Sequence, residues 1–64
     1  MKSDVIELDG AVEHRTEKAV FFHTGIKEEG AWLPLSQIEI HETGIGGIQT
    51  VVLPEWLALD KGLI

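Results

Sequence analysis

Cysteine is absent from the 64 residues. That one absence excludes disulfides, Cys-based zinc sites and cysteine nucleophiles, and it fits a reducing compartment. Cations are scarce as well. Lys2, Arg15, Lys18, Lys27 and Lys61 face eleven Asp and Glu residues, for a formal net charge of −6. They are scattered, so no basic patch forms that would displace counterions from duplex DNA. Anionic lipid is disfavoured for the same reason. Such an acidic chain reads first as a soluble protein. A sharper reading is a decoy of nucleic acid that occupies a basic groove on another protein. No apolar run approaches the roughly 20 residues that span a bilayer, and Met1-Lys2-Ser3-Asp4 lacks the apolar stretch of a secretory signal. The expected compartment is the cytoplasm.

Catalytic constellations are missing too, and the expectation is a protein that is not an enzyme, with no metal and no cofactor. Ser3 and Ser36 are the only serines, and neither lies in a Gly-x-Ser-x-Gly elbow. Ser36 reads instead as a turn residue bonding local backbone after Pro34. Glu28 and Glu29 are adjacent in a loop, where nothing raises a carboxyl toward acid/base work. His14, His23 and His41 match no zinc spacing. They read as strand residues, with His23 the most shielded and His41 facing water. Gly44-Ile45-Gly46-Gly47 is followed by no Lys-Ser or Lys-Thr, which excludes a P-loop. Its glycines read as turn formers, and a phosphate-bearing ligand held by backbone N–H groups is the lesser alternative.

What is present is alternation. A chain this short is one domain, residues 1–64, burying about 60% of the surface its unfolded form exposes. Without staples it depends on a well-packed core or a partner. Val5–Asp9 alternates with Ile6 and Leu8 on one face, Gly10 permits a bulge or sharp bend, and Ala11–His14 continues beyond it. Ala19–His23 is apolar on both faces, with Val20 and Phe22 on one and Ala19 and Phe21 on the other. Both faces therefore require cover, from the C-terminal segment or a neighbouring subunit. Gly25–Gly30 reads as a hairpin loop. Ala31–Leu33 resumes a strand that Pro34 ends or confines to an edge. Ile38–Glu42 and Ile48–Leu53 complete the set around the turn Thr43–Gly47.

The period then changes. Pro54 suits a first helical turn. Glu55 and Lys61 complement the helix dipole. Gly62 suits a left-handed cap with Leu63 folding back. A helix is expected over about 54–61. The fold class is mainly β: a small five-stranded antiparallel barrel or bent sheet, SH3-like or OB-like, with a short C-terminal helix.

Three stretches carry a resemblance: Thr16-Glu17-Lys18-Ala19-Val20, Trp32-Leu33-Pro34-Leu35-Ser36-Gln37-Ile38, and Leu53-Pro54-Glu55-Trp56-Leu57-Ala58-Leu59-Asp60-Lys61-Gly62-Leu63-Ile64. Together they resemble small proteins and domain ends of bacteriophages and mobile elements with the pattern T-E-K-A, W-L-P-x-S-Q-I, P-E-W-L-A-x-x-K-G-L-I. The resemblance covers residues 16–64 and implies a phage or mobile-element origin, without a mechanism. The position of Leu35 is often basic in that group, so its apolar side chain here argues against an anionic ligand at that place. Residues 1–15 lie outside the pattern.

The function expected is a non-enzymatic binding module. It would bind a host or phage protein or sequester a small ligand, for instance as an inhibitor of host defence. An accessory single-stranded nucleic-acid or replication protein, with Trp32 and Phe21 stacking on bases, is the second reading. A structural oligomerisation domain is the third. Lys27, Glu28, Glu29 and Trp32 are the expected partner-binding residues, because binding groups gather on loops held by rigid strands. Phe21, Phe22, Trp56, Leu57 and Leu59 are expected in the core or at an oligomer interface. Their number points to a homo-oligomer, most simply a dimer.

Overall fold

The computed structural model describes residues 4–64. Five strands form one antiparallel sheet: β1 (Val5–Arg15), β2 (Ala19–His23), β3 (Ala31–Pro34), β4 (Glu39–Glu42) and β5 (Gln49–Pro54), followed by the helix α1 (Glu55–Asp60). The spatial order is β3-β2-β1-β5-β4. The sheet is strongly bent and is not closed into a ring, so β3 and β4 are its edges. Pro34 ends the first edge, and Glu39, His41 and Glu42 place charge and polarity on the second; both devices discourage further strand pairing. Among the described residues no helix is long and apolar enough to cross a membrane.

The central element is β1. Its first half, Val5 to Gly10, pairs with β5, and its second half, Ala11 to Arg15, pairs with β2. One strand thus carries both half-sheets, and the change of partner falls at Gly10. A Cβ at Gly10 would lie 2.1 Å from the His23 carbonyl oxygen and 2.9 Å from Cζ of Phe22. Only glycine permits that approach. Gly10, expected to permit a bulge or sharp bend, takes the change of partner, while the bulge lies further along, where the register slips between Val12 and His14 and leaves Glu13 as the extra residue. The strand does not stop at His14 either, because Arg15 still pairs with Val20. Thr16 then turns the chain, its Oγ1 donating to the Ala19 carbonyl and accepting from the Ala19 N–H, both at 3.1 Å.

The concave face holds the core: Val20, Phe22, Leu33, Val51, Leu53, Leu57 and Ala58, with Ile6, Leu8, Val12, Leu35, Ile38, Ile40 and Leu63 packed around it. Period-2 alternation puts these residues on one side of each strand. A 3-10 turn, Leu35–Gln37, joins the edges and holds Ser36 at the surface. Thr43 organises the β4–β5 turn, its hydroxyl donating to the Ile48 carbonyl at 2.8 Å while accepting from the Ile45 N–H.

Helix α1 closes the concave face within a residue of the expected bounds. Its C-terminus is a Schellman cap: Gly62 sits at φ +73°, and the Leu63 N–H donates to the Ala58 carbonyl at 2.8 Å. Leu63 folds back onto the core. Trp56, Leu57 and Leu59, expected in the core or at an oligomer interface, do not share one side. Leu57 and Ala58 point inward, whereas Trp56 is 60% exposed and Leu59 58% exposed. Residues three apart share a helix face. With Leu57 and Ala58 directed at the sheet, Trp56 and Leu59 fall together on the far side.

Candidate aromatic cleft

The convex face of β1–β2–β3 carries the features that set the molecule apart. Phe21 pairs with His14 across one ladder and with Trp32 across the other, so the three side chains stem from a row of cross-strand partners and their rings gather into one cluster. Phe21 meets Trp32 edge-on at 5.6 Å between centroids, and His14 lies 6.3 Å from Phe21 and 6.4 Å from Trp32. On the second apolar face of β2, Phe21 packs among these neighbours and stays half-buried. The C-terminal helix, one of the covers expected there, lies on the concave face instead. Gly30 allows the row to form: a Cβ there would be 2.7 Å from Cζ of Phe21.

Beside the row stands a chain of polar contacts. The bulge in β1 swings Glu13 out of the ladder and toward β2. Its Oε2 lies 2.9 Å from Nε2 of His23, and its Oε1 lies 3.7 Å from Nζ of Lys27. His23 is buried, and its Nδ1 accepts the Gly25 N–H at 3.2 Å. An accepting Nδ1 puts the proton of the neutral ring on Nε2, which then donates to Glu13. The hydrogen bond from His23 holds the Glu13 carboxyl below its ordinary range against the opposing effect of desolvation, and Lys27 adds to the lowering. Both ring nitrogens of His23 are engaged, so its role is to fasten the loop after β2 to the sheet.

That loop, read as a plain hairpin connection, contains a 3-10 turn, Lys27–Glu29. The turn brings Lys27 and Glu28 to the aromatic row. His14, Phe21, Lys27, Glu28 and Trp32 together line an open cleft of about 390 Å³. Of the residues expected to bind a partner, Lys27, Glu28 and Trp32 meet here. Glu29 is exposed and lies outside the lining. Phe21, assigned to core or interface, forms the floor between two other rings, while Phe22 and Leu57 are buried in the core. His14, read as an ordinary strand residue, is the lining residue that sequence reasoning missed.

Elsewhere the convex surface is acidic. Glu7 and Glu39 flank Val52, and Asp9 and His41 flank Thr50, whose hydroxyl donates to Asp9 at 2.6 Å. His41 is exposed, with Nε2 3.1 Å from Oε1 of Glu39. The three histidines thus occupy three separate places. Among the described residues no group of three or more His, Asp or Glu side chains is arranged to hold a metal ion. No family model matches the chain, and no curated protein or solved structure matches it.

Proposed function

We propose that this chain is a non-enzymatic binding module of phage or mobile-element origin that works in the host cytoplasm by occupying a host protein, as an inhibitor of host defence would. What carries this reading is the outward aromatic row His14–Phe21–Trp32 beside a loop with exposed Lys27, Glu28 and Glu29. Trp32 stays 45% exposed. A tryptophan set in a concave surface and rimmed by charge is the usual anchor of a protein interface. The net charge of −6 favours a basic partner surface. The test is capture of the partner with Trp32→Leu, which should abolish it while the far-UV spectrum is retained. Capture that survives the substitution removes the cleft from the interface.

A row of three outward rings also supports the second reading, a single-stranded nucleic-acid module, because stacking tolerates any base. The charge opposes it: among the described residues Lys27 is the one Lys or Arg lining the cleft, and it faces Glu13 at 3.7 Å. Salt titration against an oligonucleotide separates the two readings, since nucleic-acid binding falls steeply with salt. Self-association, if the chain is an oligomerisation domain, has a different surface to use. Trp56 and Leu59 are exposed on α1, and Val5 and Ile64 are exposed as well.

A further inference from the structure

The cleft has a shape and a charge that name a ligand, on the reading that it is the partner-binding site. Its ring centroids form a triangle with sides of 5.6, 6.3 and 6.4 Å. A cation is attracted to a ring face within about 6 Å of the centroid, most strongly to tryptophan. Phe21 stands at 56° to His14 and 62° to Trp32, so a cation lies over one ring face at a time, and Trp32, 45% exposed, offers the open one. The framing segments supply opposite charge. Glu13 stands on the bulge and Glu28 and Glu29 on the 3-10 turn, against the single cation Lys27.

These carboxylates are not equivalent. Both oxygens of Glu13 are already engaged, one with His23 and one with Lys27. Glu28 lines the cleft and makes no ion pair among the described residues. An incoming cation therefore finds the exposed Trp32 ring and one uncommitted carboxylate in the same cleft. A phosphate would meet that same carboxylate with the wrong sign.

Between the two biological cations, the walls choose. A guanidinium is planar, weakly hydrated, able to lie flat on an aromatic face and still able to present its fork to a carboxylate. An ammonium holds its water more strongly and gains less in an apolar-walled cleft. We propose that the cleft receives an arginine side chain from a basic segment of the partner, with the guanidinium on the exposed Trp32 ring and its edge paired to Glu28.

The experiment uses the whole chain, labelled with nitrogen-15, and follows the Trp32 indole N–H. The titrants are a short blocked peptide carrying two arginines, its citrulline counterpart of the same shape without charge, and oligothymidylate. The arginine peptide should shift Trp32 saturably, with the citrulline peptide roughly ten-fold weaker. Glu28→Gln should weaken the arginine peptide several-fold and leave the remaining spectrum in place, because Glu28 is exposed. Equal binding of the citrulline peptide, a Trp32 shift with oligothymidylate only, or no shift with any titrant overturns the proposal. Its failure is distinguishable from failure of the binding-module reading. If Trp32→Leu abolishes partner capture while the arginine peptide leaves Trp32 unmoved, the module stands and the arginine does not.

Discussion

Nε2 of His23 lies 2.9 Å from Oε2 of Glu13, across the β1–β2 ladder and beneath the loop that carries Lys27. The contact joins a buried side chain to the single residue that the β1 bulge frees from the sheet. It ties the cleft wall to the fold without using a disulfide or a metal. Its consequences for stability follow from the sign of the Glu13 shift.

The folded state holds the Glu13 carboxyl below its ordinary value of 4.5, chiefly through the His23 hydrogen bond. A depressed carboxyl pKa contributes stability that is fully present above the unfolded value and is lost as pH falls through the folded one. The wild-type chain should therefore lose stability as pH drops below about 4.5. Glu13→Gln removes this titration and should flatten that part of the profile, as urea melts across pH 2 to 6 would record, roughly the range in which carboxyls titrate. Parallel profiles for the two proteins would assign the acid sensitivity to other carboxylates.

Glycine substitutions separate a backbone constraint from a ring constraint. Gly10→Ala brings a Cβ to 2.1 Å from a backbone oxygen, which cannot move without breaking the β1–β2 register. The cost should reach about 2–4 kcal/mol. Gly30→Ala meets the Phe21 ring at 2.7 Å, which can swing outward, and the Phe22 carbonyl oxygen at 2.9 Å, a milder backbone contact than the 2.1 Å at Gly10. That variant should fold with a smaller penalty and show a displaced Trp32 indole resonance. Gly46→Ala meets nothing within 4 Å and serves as the neutral control. A denaturation midpoint for Gly10→Ala equal to that of the control would disprove the close approach.

Phe22 and Trp56 exchange the importance that their size alone suggests. Phe22 is fully buried, and Phe22→Ala should cost about 3–5 kcal/mol, enough to unfold so small a domain. Trp56 is 60% exposed, so Trp56→Ala should leave the dilute chain within about 1 kcal/mol of wild type. If the chain forms the dimer that its exposed apolar residues suggest, the same variant should abolish it. Light scattering at tens of micromolar together with melts at low concentration reads both effects. A strongly destabilised dilute Trp56→Ala chain would place that ring in the core.

The parts of this fold that local rules govern were legible in the sequence. Alternation placed Ile6 with Leu8, Val20 with Phe22, and Ile38 with Ile40, though it left open which apolar face of β2 turns inward, and the residues Pro54, Gly62 and Leu63 spelled out both ends of the helix. What stayed hidden depends on partners. The bulge between Val12 and His14 reverses the parity of β1, and no local pattern announces it. His14 consequently joins the aromatic row although its own neighbourhood reads as an ordinary strand. The six residues of α1 include four apolar ones, so the inward side is chosen by the sheet beneath and not by periodicity. The cleft was half legible: the loop pointed to Lys27 and Glu28, but its neighbour Glu29 is left outside by the 3-10 turn.

That difference between Glu28 and Glu29 is itself testable. Both are exposed, and neither makes an ion pair among the described residues, so Glu28→Lys and Glu29→Lys should each fold normally. Their local chemistry is the same, and only their position relative to the rings differs. If the cleft binds a basic partner, reversal at Glu28 places a cation beside Trp32 and opposes the ligand directly. Affinity should fall at least several-fold, and higher salt should narrow the gap to wild type as the new repulsion is screened. Reversal at Glu29 acts only through the surrounding field, and its smaller effect should disappear by about 0.15 M salt, where the screening length is about 8 Å. Isothermal titration of the identified partner with both single variants decides the matter. Equal losses would mean that general charge attraction, and not the cleft, holds the partner. No loss from either would move the interface to the acidic surface of Glu7, Asp9 and Glu39 on the other half of the bent sheet.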